Sequence, residues 1–330
     1  MKNIGIFCGG FSSEFEISMK SAEEILKALA QSEFNVFLVE VKRSGWTAFY
    51  EGEKYPVSIE SFSFTTKDNK HIKIDAAHVY IHGNPGENGK LQAYFEMKQL
   101  PYINSSALSS ELSFDKWFCN QFLRNFGIKV ADAVVLLENK NINYKEIGDR
   151  LKFPLFVKPS DSGSSYGISK VYNSEKLSQA IDEAFAEGST VICEAFMEGK
   201  EVTCGVYRDK SGVKALPCTE IVTESDFFDY EAKYLGKSEE ITPARISDEL
   251  TKEIQNLTEK IYQLLQLRSL ARVDFIIVNN SPYVIEVNTT PGFSKESIVP
   301  KMLDATGIKT SDFWKRVYEF ELRRGNHLSL

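Results

Sequence analysis

The stretch 271–300 constrains the fold most, because it predicts a pair of adjacent strands followed by a loop. Val, Ile, Phe and Tyr are frequent on both sides of a polar run centred on Asn280, a composition typical of two strands joined by a tight turn. Pairing the flanks about Asn280 gives the opposed pairs Arg272–Asn288, Val273–Val287, Asp274–Glu286, Phe275–Ile285 and Ile277–Tyr283. Side chains alternate between the two faces of a strand, so one face is apolar and the other contains four polar residues.

The polar face of this hairpin places two carboxylates, Asp274 and Glu286, directly opposite each other. Opposed like charges repel, which predicts a compensating positive charge nearby. Arg272 supplies part of that charge. A hard divalent cation such as Mg²⁺ would supply it better, because carboxylate and amide oxygens are its preferred ligands and Asn288 offers the amide. An ordinary amphipathic hairpin with a solvated polar face explains the same pattern equally well.

The composition is that of a soluble globular protein long enough for two or three domains. The 330 residues have a formal net charge of −7, which argues against nucleic acid as the main partner. The cysteines lack C-x-x-C spacing and several lie within apolar runs, as expected in a reducing compartment without structural disulfides. The chain enters a strand-like run at once and no apolar run reaches membrane-spanning length, so we expect a cytoplasmic protein without membrane contact.

Residues 2–8 are an apolar run that predicts a buried parallel strand, and a glycine pair ends it. A helix with an apolar stripe is predicted from about Ser13, and Ser13 with Glu16 has the spacing of a capping box. The turn lacks G-x-G-x-x-G, which argues against a nicotinamide-dinucleotide enzyme. Glu14 stands where a phosphate would have to bind. It is expected either to hold a substrate ammonium group or to be a first-turn charge favoured by the helix dipole.

Two further loops have the composition of ligand-binding turns. The loop 82–89 contains three glycines and a proline, and it follows a strand predicted at 77–81. Such loops at the carboxyl end of a strand commonly bind ligands in open α/β sheets. The loop 160–167 is rich in small residues, but it follows Lys158 and returns as a strand, so it differs from a Walker phosphate loop. It is expected either to cover phosphates as a flap or to be a flexible hairpin turn.

Hydrophobic periodicity and composition predict most of the other elements. Strands or hairpins are expected at 34–41, 45–72, 191–194 and 202–207, with a turn at 196–201. Helices are expected at 90–98, 106–126, 248–265 and 311–322. Residues 224–244 are aromatic, charged and aperiodic, which is typical of a functional lid loop.

Taken in order, these motifs resemble those of the ATP-grasp fold and, more closely, those of the D-alanine–D-alanine ligase family. The resemblance covers nearly the whole chain, and its segments are GGFSSEFEIS, HGNPGENG, LSFDK, FPLFVKPSDSGSSYGISKV, CEAFMEGKEVT, FFDYEAKY, ARVDF and VIEVNTTPGFSKESIVP. It implies an α/β fold, α+β in the ATP-grasp lobes. An N-terminal Rossmann-like parallel-sheet domain (1–106) would be followed by a central ATP-grasp lobe (107–198). A C-terminal ATP-grasp lobe (199–330) would contain the metal hairpin and the lid loop.

The resemblance also implies roles for the residues at matching positions. Ligands of two Mg²⁺ ions, which Mn²⁺ is expected to replace, are Asp274, Glu286 and Asn288. ATP-binding residues are Lys116, Lys158, Ser164, Ser165, Glu194, Ala195, Phe196, Met197, Glu201 and Lys233. Substrate-binding residues are Glu14, His82, Ser297 and Ile298, and catalytic residues are Glu14, Ser164, Tyr234, Arg272 and Gly292.

The implied reaction is the ATP-dependent ligation of two D-alanines through an acyl phosphate, for peptidoglycan precursor synthesis. The implied enzyme is a homodimer. Glu14, Ser164 and Tyr234 would form a triad at the first D-alanine, and Ser297 would hold the carboxylate of the second. Arg272 and the Gly292 N–H would stabilise charge on the reacting carbonyl, so catalysis by positioning and charge neutralisation needs no protein nucleophile.

Three alternatives remain open at this point. Two are relatives of the same family that make D-alanine–D-lactate or D-alanine–D-serine, although Tyr234 after Lys233 resembles the dipeptide-forming enzymes. The third is a nucleotide-binding relative with impaired catalysis. The chain also departs from the family pattern at Asn88, where Asp is usual, and at Asn104, where Gly is usual.

Overall fold

Three large sheets organise the residues that the structure, a computed structural model, describes: 1–161, 167–223 and 238–324. A six-stranded mixed sheet comes first along the chain, and four-stranded and five-stranded antiparallel sheets follow. A two-stranded ribbon lies beside the first sheet. The predicted fold class, an α/β layer followed by two α+β lobes, is confirmed.

The first sheet forms a parallel βα layer with an antiparallel edge. Its elements are β1 (Asn3–Gly9), α1 (Phe15–Ala28), β2 (Asn35–Lys42), β3 (Gly45–Tyr50), β4 (Glu53–Val57), β5 (Ser63–Thr65), β6 (His71–Lys73), β7 (Ala76–Val79), α2 (Lys90–Met97) and β8 (Tyr102–Ile103). The strand order is β4-β3-β2-β1-β7-β8, with β2, β1, β7 and β8 parallel. Because β1 and β7 are parallel neighbours, the loops that follow them meet at one edge of the sheet.

The first helix begins differently from the predicted capping box. Glu14 occupies the N-cap position without a side-chain cap bond, so the box of Ser13 and Glu16 is wrong by one position. The Ser12 hydroxyl instead accepts from the Glu14 N–H at 3.3 Å and donates to the His82 carbonyl at 2.8 Å. The turn is therefore fixed to the neighbouring loop, which local sequence spacing cannot reveal.

The second sheet and its helices follow directly. The elements are α3 (Ala107–Phe114), α4 (Lys116–Asn125), β9 (Ala133–Leu136), α5 (Tyr144–Leu151), β10 (Leu155–Pro159), β11 (Ser169–Val171), α6 (Ser174–Glu187) and β12 (Val191–Ala195), in the sheet order β11-β10-β12-β9. The single helix predicted at 106–126 is wrong. Asp115 adopts an extended conformation between α3 and α4, and its carboxylate accepts from the Phe118 N–H at 3.0 Å as an N-cap.

The third sheet contains the hairpin predicted about Asn280. The elements are β13 (Lys200–Asp209), β14 (Gly212–Thr223), β15 (Ser238–Ile241), α7 (Asp248–Leu264), β16 (Leu270–Val278), β17 (Ser281–Asn288), α8 (Ile298–Ala305) and α9 (Thr310–Arg324), in the sheet order β15-β14-β13-β16-β17. Helix α8 was not predicted. The expectation of an aperiodic segment over 224–244 is wrong at its end, where β15 pairs with β14, and 224–237 lie outside the described residues.

The hairpin register is as predicted at its open end and shifted by one residue near the turn. Asp274 faces Glu286, as predicted, but Phe275 faces Val284 rather than Ile285. The turn uses only Asn279 and Asn280, both with positive φ, and a bulge after Asp274 absorbs the extra residue. The other shifted pair is Ile277 with Pro282 rather than with Tyr283.

The C-terminal helix α9 closes the core of the N-terminal layer. Its buried residues Trp314 and Tyr318 pack in one cluster with Ile4 and Ile25 from β1 and α1. The structure thus joins the two ends of the chain in one apolar core. Within the described ranges, no helix has the length and apolar character needed to cross a membrane.

Candidate active site

The polar face of the β16–β17 hairpin is organised around the carboxylate of Asp274. Arg272, on the same strand, donates to both of its oxygens at 2.7 Å. The Thr203 hydroxyl from β13 donates to Oδ1 at 2.5 Å, and the Asn288 amide donates to Oδ2 at 3.0 Å. These four donors match the roughly four lone-pair positions of a carboxylate, so the charge of Asp274 is compensated within the sheet.

The chemistry of this face fits a hard divalent cation. Asp274, Glu286 and Asn288 supply two carboxylates and one amide at neighbouring positions of the paired strands, which is a donor set typical of Mg²⁺. The Asn288 nitrogen bonds to Asp274, so its amide oxygen is the atom left for a metal. Asp274 would have to release one of its four donors to coordinate an ion. Among the described residues no cluster of three or more His, Cys, Asp or Glu side chains could hold a metal.

Lys116 reaches the same face from the first turn of α4. Its ammonium lies 3.6 Å from Glu286 Oε2. The helix start is fixed by the end of β10, because the Ser160 hydroxyl donates to Asp115 at 2.5 Å and the Ser160 carbonyl accepts from the Lys116 N–H at 2.9 Å. The second sheet therefore determines where this lysine meets the third.

Lys158 and Glu194 form a buried ion pair on β10 and β12, with Nζ and Oε2 only 2.6 Å apart. Sequence reasoning placed both at the nucleotide but did not predict that they contact each other. The Ala195 N–H donates to the Asp132 carbonyl at 2.8 Å, so that donor is already used.

Aromatic and cationic side chains surround the connection that follows β12. The ring centres of Phe196 and Phe156 are 6.0 Å apart, and the Lys170 ammonium lies 4.1 Å from the centre of the Phe196 ring. Met197 follows in the same connection, and Glu201 lies on β13, opposite Ile276 of β16. A flat aromatic surface beside a cation suits a planar heterocycle such as adenine.

The loops after β1 and β7 bring Glu14 and His82 together. Both side chains are buried, and a Cβ built on Gly83 would lie 3.7 Å from Glu14 Oε2. Burial lowers the pKa of His82, an effect that Glu14 opposes and Arg272 reinforces. Within the described residues, His82 Nε2 has no hydrogen-bond partner, as expected for an atom that meets a ligand.

Glu87 is a residue of this site to which the sequence analysis gave no role. Burial, together with the charges of Glu14 and Glu286, raises its pKa to about 8, although the Gly83 N–H, which donates to Oε2 at 3.0 Å, and the charge of Lys116 lower it. The interaction of Glu87 with Glu286 shows that the loop after β7 faces the β16–β17 hairpin. A glycine-rich loop with an internal Glu was the only sequence signal for this residue.

The loop after β17 ends at the first turn of α8. Ser297 precedes that helix, and its hydroxyl lies 2.8 Å from the Ser294 hydroxyl rather than capping the helix. A Cβ on Gly292 would lie 3.0 Å from Ser297 Oγ, so the two residues are in close contact. Ile298, at the helix start, is buried. A helix N-terminus beside two hydroxyls suits a carboxylate.

The remaining predicted residues lie outside the part of the chain that the structure describes: Ser164, Ser165, Lys233 and Tyr234. Sequence reasoning also missed three supporting residues. Ser12 orients the loop of Glu14, Thr203 bonds Asp274, and Asp115 caps the helix of Lys116. Only Asp115 had a recognisable signal, a capping residue just before an apolar helical run.

Comparison with protein families gives two matches. Residues 3–105 match the model described as the D-ala D-ala ligase N-terminus, and residues 122–319 match the D-ala D-ala ligase C-terminus. Together the two matches cover most of the chain.

Individual relatives agree with these matches. The chain is 43% identical over 325 residues to the D-alanine--D-alanine ligase of Parabacteroides distasonis, covering 98% of each chain. Its fold is similar to that of the VanG D-Ala:D-Ser ligase from Enterococcus faecalis, with a TM-score of 0.86, 32% identity and coverage of 97% and 99%. It is also similar to the D-alanine--D-alanine ligase from Bacillus anthracis complexed with ATP, with a TM-score of 0.79, 28% identity and 99% coverage of both chains.

Proposed function

The chain belongs to the D-alanine–D-alanine ligase family, and from that premise we propose that it joins two D-alanines to D-alanyl-D-alanine with cleavage of ATP. The observation that supports this most is the meeting of three groups of residues. Loops from the N-terminal layer, with Glu14 and His82, face the hairpin of Asp274 and Glu286, and Lys116 lies between the sheets. Such a ligation needs a site for the amino acid, an acidic face that can hold a metal ion, and a lysine that can contact phosphate.

We propose that ATP binds between the second and third sheets. Lys116 and Lys158 would contact the phosphates, and the connection of Ala195, Phe196 and Met197 would hold adenine, with Glu194 beside it. Because the Ala195 N–H is already donated, the adenine contacts fall to the backbone of the next two residues. Glu201 would contact the ribose, and Ser164, Ser165 and Lys233 are assigned to ATP on the sequence resemblance alone.

Asp274, Glu286 and Asn288 would hold Mg²⁺, with Mn²⁺ as a substitute. When bound, the metal would neutralise charge on the ATP phosphates. Arg272 supplies positive charge on the same face, and its bond to Asp274 orients the guanidinium before any substrate arrives. Lys116, at 3.6 Å from Glu286, is oriented in the same way.

The reaction requires a carboxylate to become an electrophile. The first D-alanine, its ammonium held by Glu14, would accept the γ-phosphoryl group to give an acyl phosphate. The amine of the second D-alanine would attack that carbonyl, and phosphate would leave. Arg272 and the Gly292 N–H would stabilise the oxyanion, a type of contribution that typically changes rates by about 100- to 1000-fold.

The second D-alanine is assigned to the start of α8. Ser297 and the Ile298 N–H would bind its carboxylate, which the positive end of a helix favours. His82 would lie near the first D-alanine, where its buried Nε2, which has no hydrogen-bond partner within the described part of the chain, could accept or donate a hydrogen bond. Ser164 and Tyr234 complete the proposed triad with Glu14.

A second candidate product is D-alanyl-D-serine. The structural likeness to the VanG D-Ala:D-Ser ligase, with a TM-score of 0.86, favours it as the alternative. The higher identity of 43% to a D-alanine--D-alanine ligase favours D-alanine as the acceptor. We further propose that the protein acts in the cytoplasm as a homodimer, in peptidoglycan precursor synthesis.

The test of this proposal is the dependence of ATP cleavage on D-alanine. With ATP and Mg²⁺ supplied, we expect the protein to release phosphate from ATP only when D-alanine is present. One dipeptide should form for each phosphate released. L-alanine at the same concentration is the matched control and should give no product. Phosphate release that is equal with and without D-alanine would contradict the proposal and favour a nucleotide-binding relative without ligase activity.

A further inference from the structure

We propose that three buried side chains of the N-terminal layer, Ser21, Tyr80 and Asn104, position the acceptor segment, which we define as residues 289–293. This inference rests on the proposed function, because it concerns how the second amino acid is placed. None of the three side chains is assigned to ATP, to metal or to substrate. They act through the backbone and side chains of the acceptor segment.

Each of the three contacts a different point of the acceptor segment. The Asn104 amide donates to Thr290 Oγ1 at 3.1 Å, and the Tyr80 hydroxyl donates to the Pro291 carbonyl at 2.6 Å. The Ser21 hydroxyl accepts from the Phe293 N–H at 3.1 Å. Asn104 and Tyr80 directly follow β8 and β7, and Ser21 lies in α1, so the segment is fixed to one edge of the N-terminal sheet at three successive places.

The supporting side chains are themselves fixed. Tyr80 is 2% exposed, and its carbonyl accepts from the Ser18 hydroxyl at 2.6 Å. The amide of Asn104 also donates to the Val79 carbonyl at 2.9 Å and accepts from the Ser105 N–H at 2.6 Å. Burial and these contacts restrict Tyr80 and Asn104 where they meet the acceptor segment.

Asn104 adopts a backbone conformation that favours glycine, with φ of 116°. A residue with a side chain is strained there, and such strain persists where the surrounding contacts determine it. The three hydrogen bonds of the Asn104 amide are those contacts. The strained backbone is thus held in place by the same side chain that reaches Thr290.

The acceptor segment contains Gly292 and leads directly to Ser297 and the start of α8. A displacement of a fraction of an ångström there moves the groups proposed for the oxyanion and for the acceptor carboxylate. Positioning of two reactants contributes strongly to rate, so loosening the segment should impair attack by the acceptor more than activation of the donor.

The experiment compares two products of one acyl phosphate in Tyr80→Phe and Asn104→Gly. Hydroxylamine attacks the acyl phosphate without needing the acceptor carboxylate site, and it yields a hydroxamate with release of phosphate. Each variant is incubated with ATP, Mg²⁺ and D-alanine, with and without hydroxylamine, and dipeptide and hydroxamate are measured together with the melting temperature. Phenylalanine removes only the Tyr80 hydroxyl, and glycine fits the backbone at 104.

Two control variants match the changes in chemistry. Tyr102→Phe removes the hydroxyl of another buried tyrosine, which bonds Glu96 and not the acceptor segment. Asn141→Gly replaces an exposed asparagine whose φ is 55°. Both are expected to keep the wild-type ratio of dipeptide to hydroxamate.

We expect that ratio to fall about tenfold in Tyr80→Phe and in Asn104→Gly, the effect of one lost hydrogen bond. An unchanged ratio in both variants, or an equal fall in Tyr102→Phe, would overturn the positioning role. A loss of both products in proportion would also overturn it, because a purely structural role predicts that result. Failure of the wild type to form either product would instead contradict the proposed function.

Discussion

At the scale of single residues, compensation of charge explains how the hairpin tolerates two opposed carboxylates. Asp274 is bonded by Arg272, Asn288 and Thr203, whereas Glu286 faces Lys116 at 3.6 Å. The sequence predicted the opposition of the carboxylates and the part played by Arg272. The hairpin pattern could not reveal the contact of the Thr203 hydroxyl with Asp274 or of Lys116 with Glu286, because only tertiary contacts bring β13 and α4 to the hairpin.

Replacement of Glu286 tests the metal assignment. Glu286→Gln should lower the Mg²⁺-dependent kcat/KM by roughly 100- to 1000-fold, because one charged oxygen donor is lost. The melting temperature should change little, since a partly exposed ion pair contributes little to stability. Glu253→Gln, on the exposed side of α7, is the control. Near-normal turnover of Glu286→Gln across a Mg²⁺ titration would refute the assignment.

The buried His78 predicts loss of stability in acid. Burial lowers its pKa to about 3, and its Nδ1 lies 2.8 Å from the Tyr318 hydroxyl of α9. The unfolded chain binds a proton on this residue below about pH 6.5 and the folded chain does not, so stability falls as the pH drops from there towards 3. Between pH 6.5 and 5 this residue should reduce the unfolding free energy by about 2 kcal/mol.

Urea unfolding of wild type and His78→Gln at both pH values measures that contribution. The variant cannot take up the proton, so its unfolding free energy should depend less on pH by about the same 2 kcal/mol. An identical pH dependence of the two proteins would show that His78 is not responsible.

At the scale of elements, the hairpin shows how far local patterns determine register. The alternation of apolar residues gave the correct pairs from Arg272 to Asp274, but the pairs next to the turn were shifted by one residue. The difference arises because two asparagines with positive φ form the turn and a bulge absorbs the extra residue. Polarity patterns do not encode a bulge, and they likewise missed α8 and the break at Asp115.

The conformation of that turn is open to a direct test. Asn280 is exposed and has φ of 58°, a conformation that glycine adopts freely and a β-branched residue does not. Asn280→Val should lower the unfolding free energy by about 1–2 kcal/mol, whereas Asn280→Gly should preserve it. Chemical denaturation of the two variants provides the measurement. Equal stability of both would contradict the two-residue turn.

At the scale of the whole molecule, contacts between distant parts of the chain build the site. Helix α9 packs against β1 and α1. Arg268 forms a buried ion pair with Glu321 of α9 and also donates to the Tyr102 carbonyl, which joins the C-terminal part to the N-terminal layer. The division into domains at 1–106, 107–198 and 199–330 stays a prediction. The motif order allowed the fold to be predicted, but these long-range contacts have no local sequence signal.

The buried ion pair should contribute to stability in an asymmetric way. Glu321→Gln leaves the buried Arg268 without its counter-charge and should cost about 3–5 kcal/mol of unfolding free energy. The double change Arg268→Met with Glu321→Leu should recover most of that loss, because apolar packing can replace a buried pair. The exposed pair of Lys27 with Glu24 is the control, and Glu24→Gln should leave the unfolding free energy nearly unchanged. A double variant less stable than Glu321→Gln would show that apolar packing cannot replace the buried ion pair.

The identity of the product tests the central claim most directly. The protein is incubated at neutral pH with ATP, Mg²⁺ and equal concentrations of D-alanine, D-serine and D-lactate, and the products are identified by mass spectrometry. We expect D-alanyl-D-alanine to predominate, with one phosphate released for each dipeptide. Predominance of D-alanyl-D-serine or of the D-alanine–D-lactate depsipeptide would contradict it.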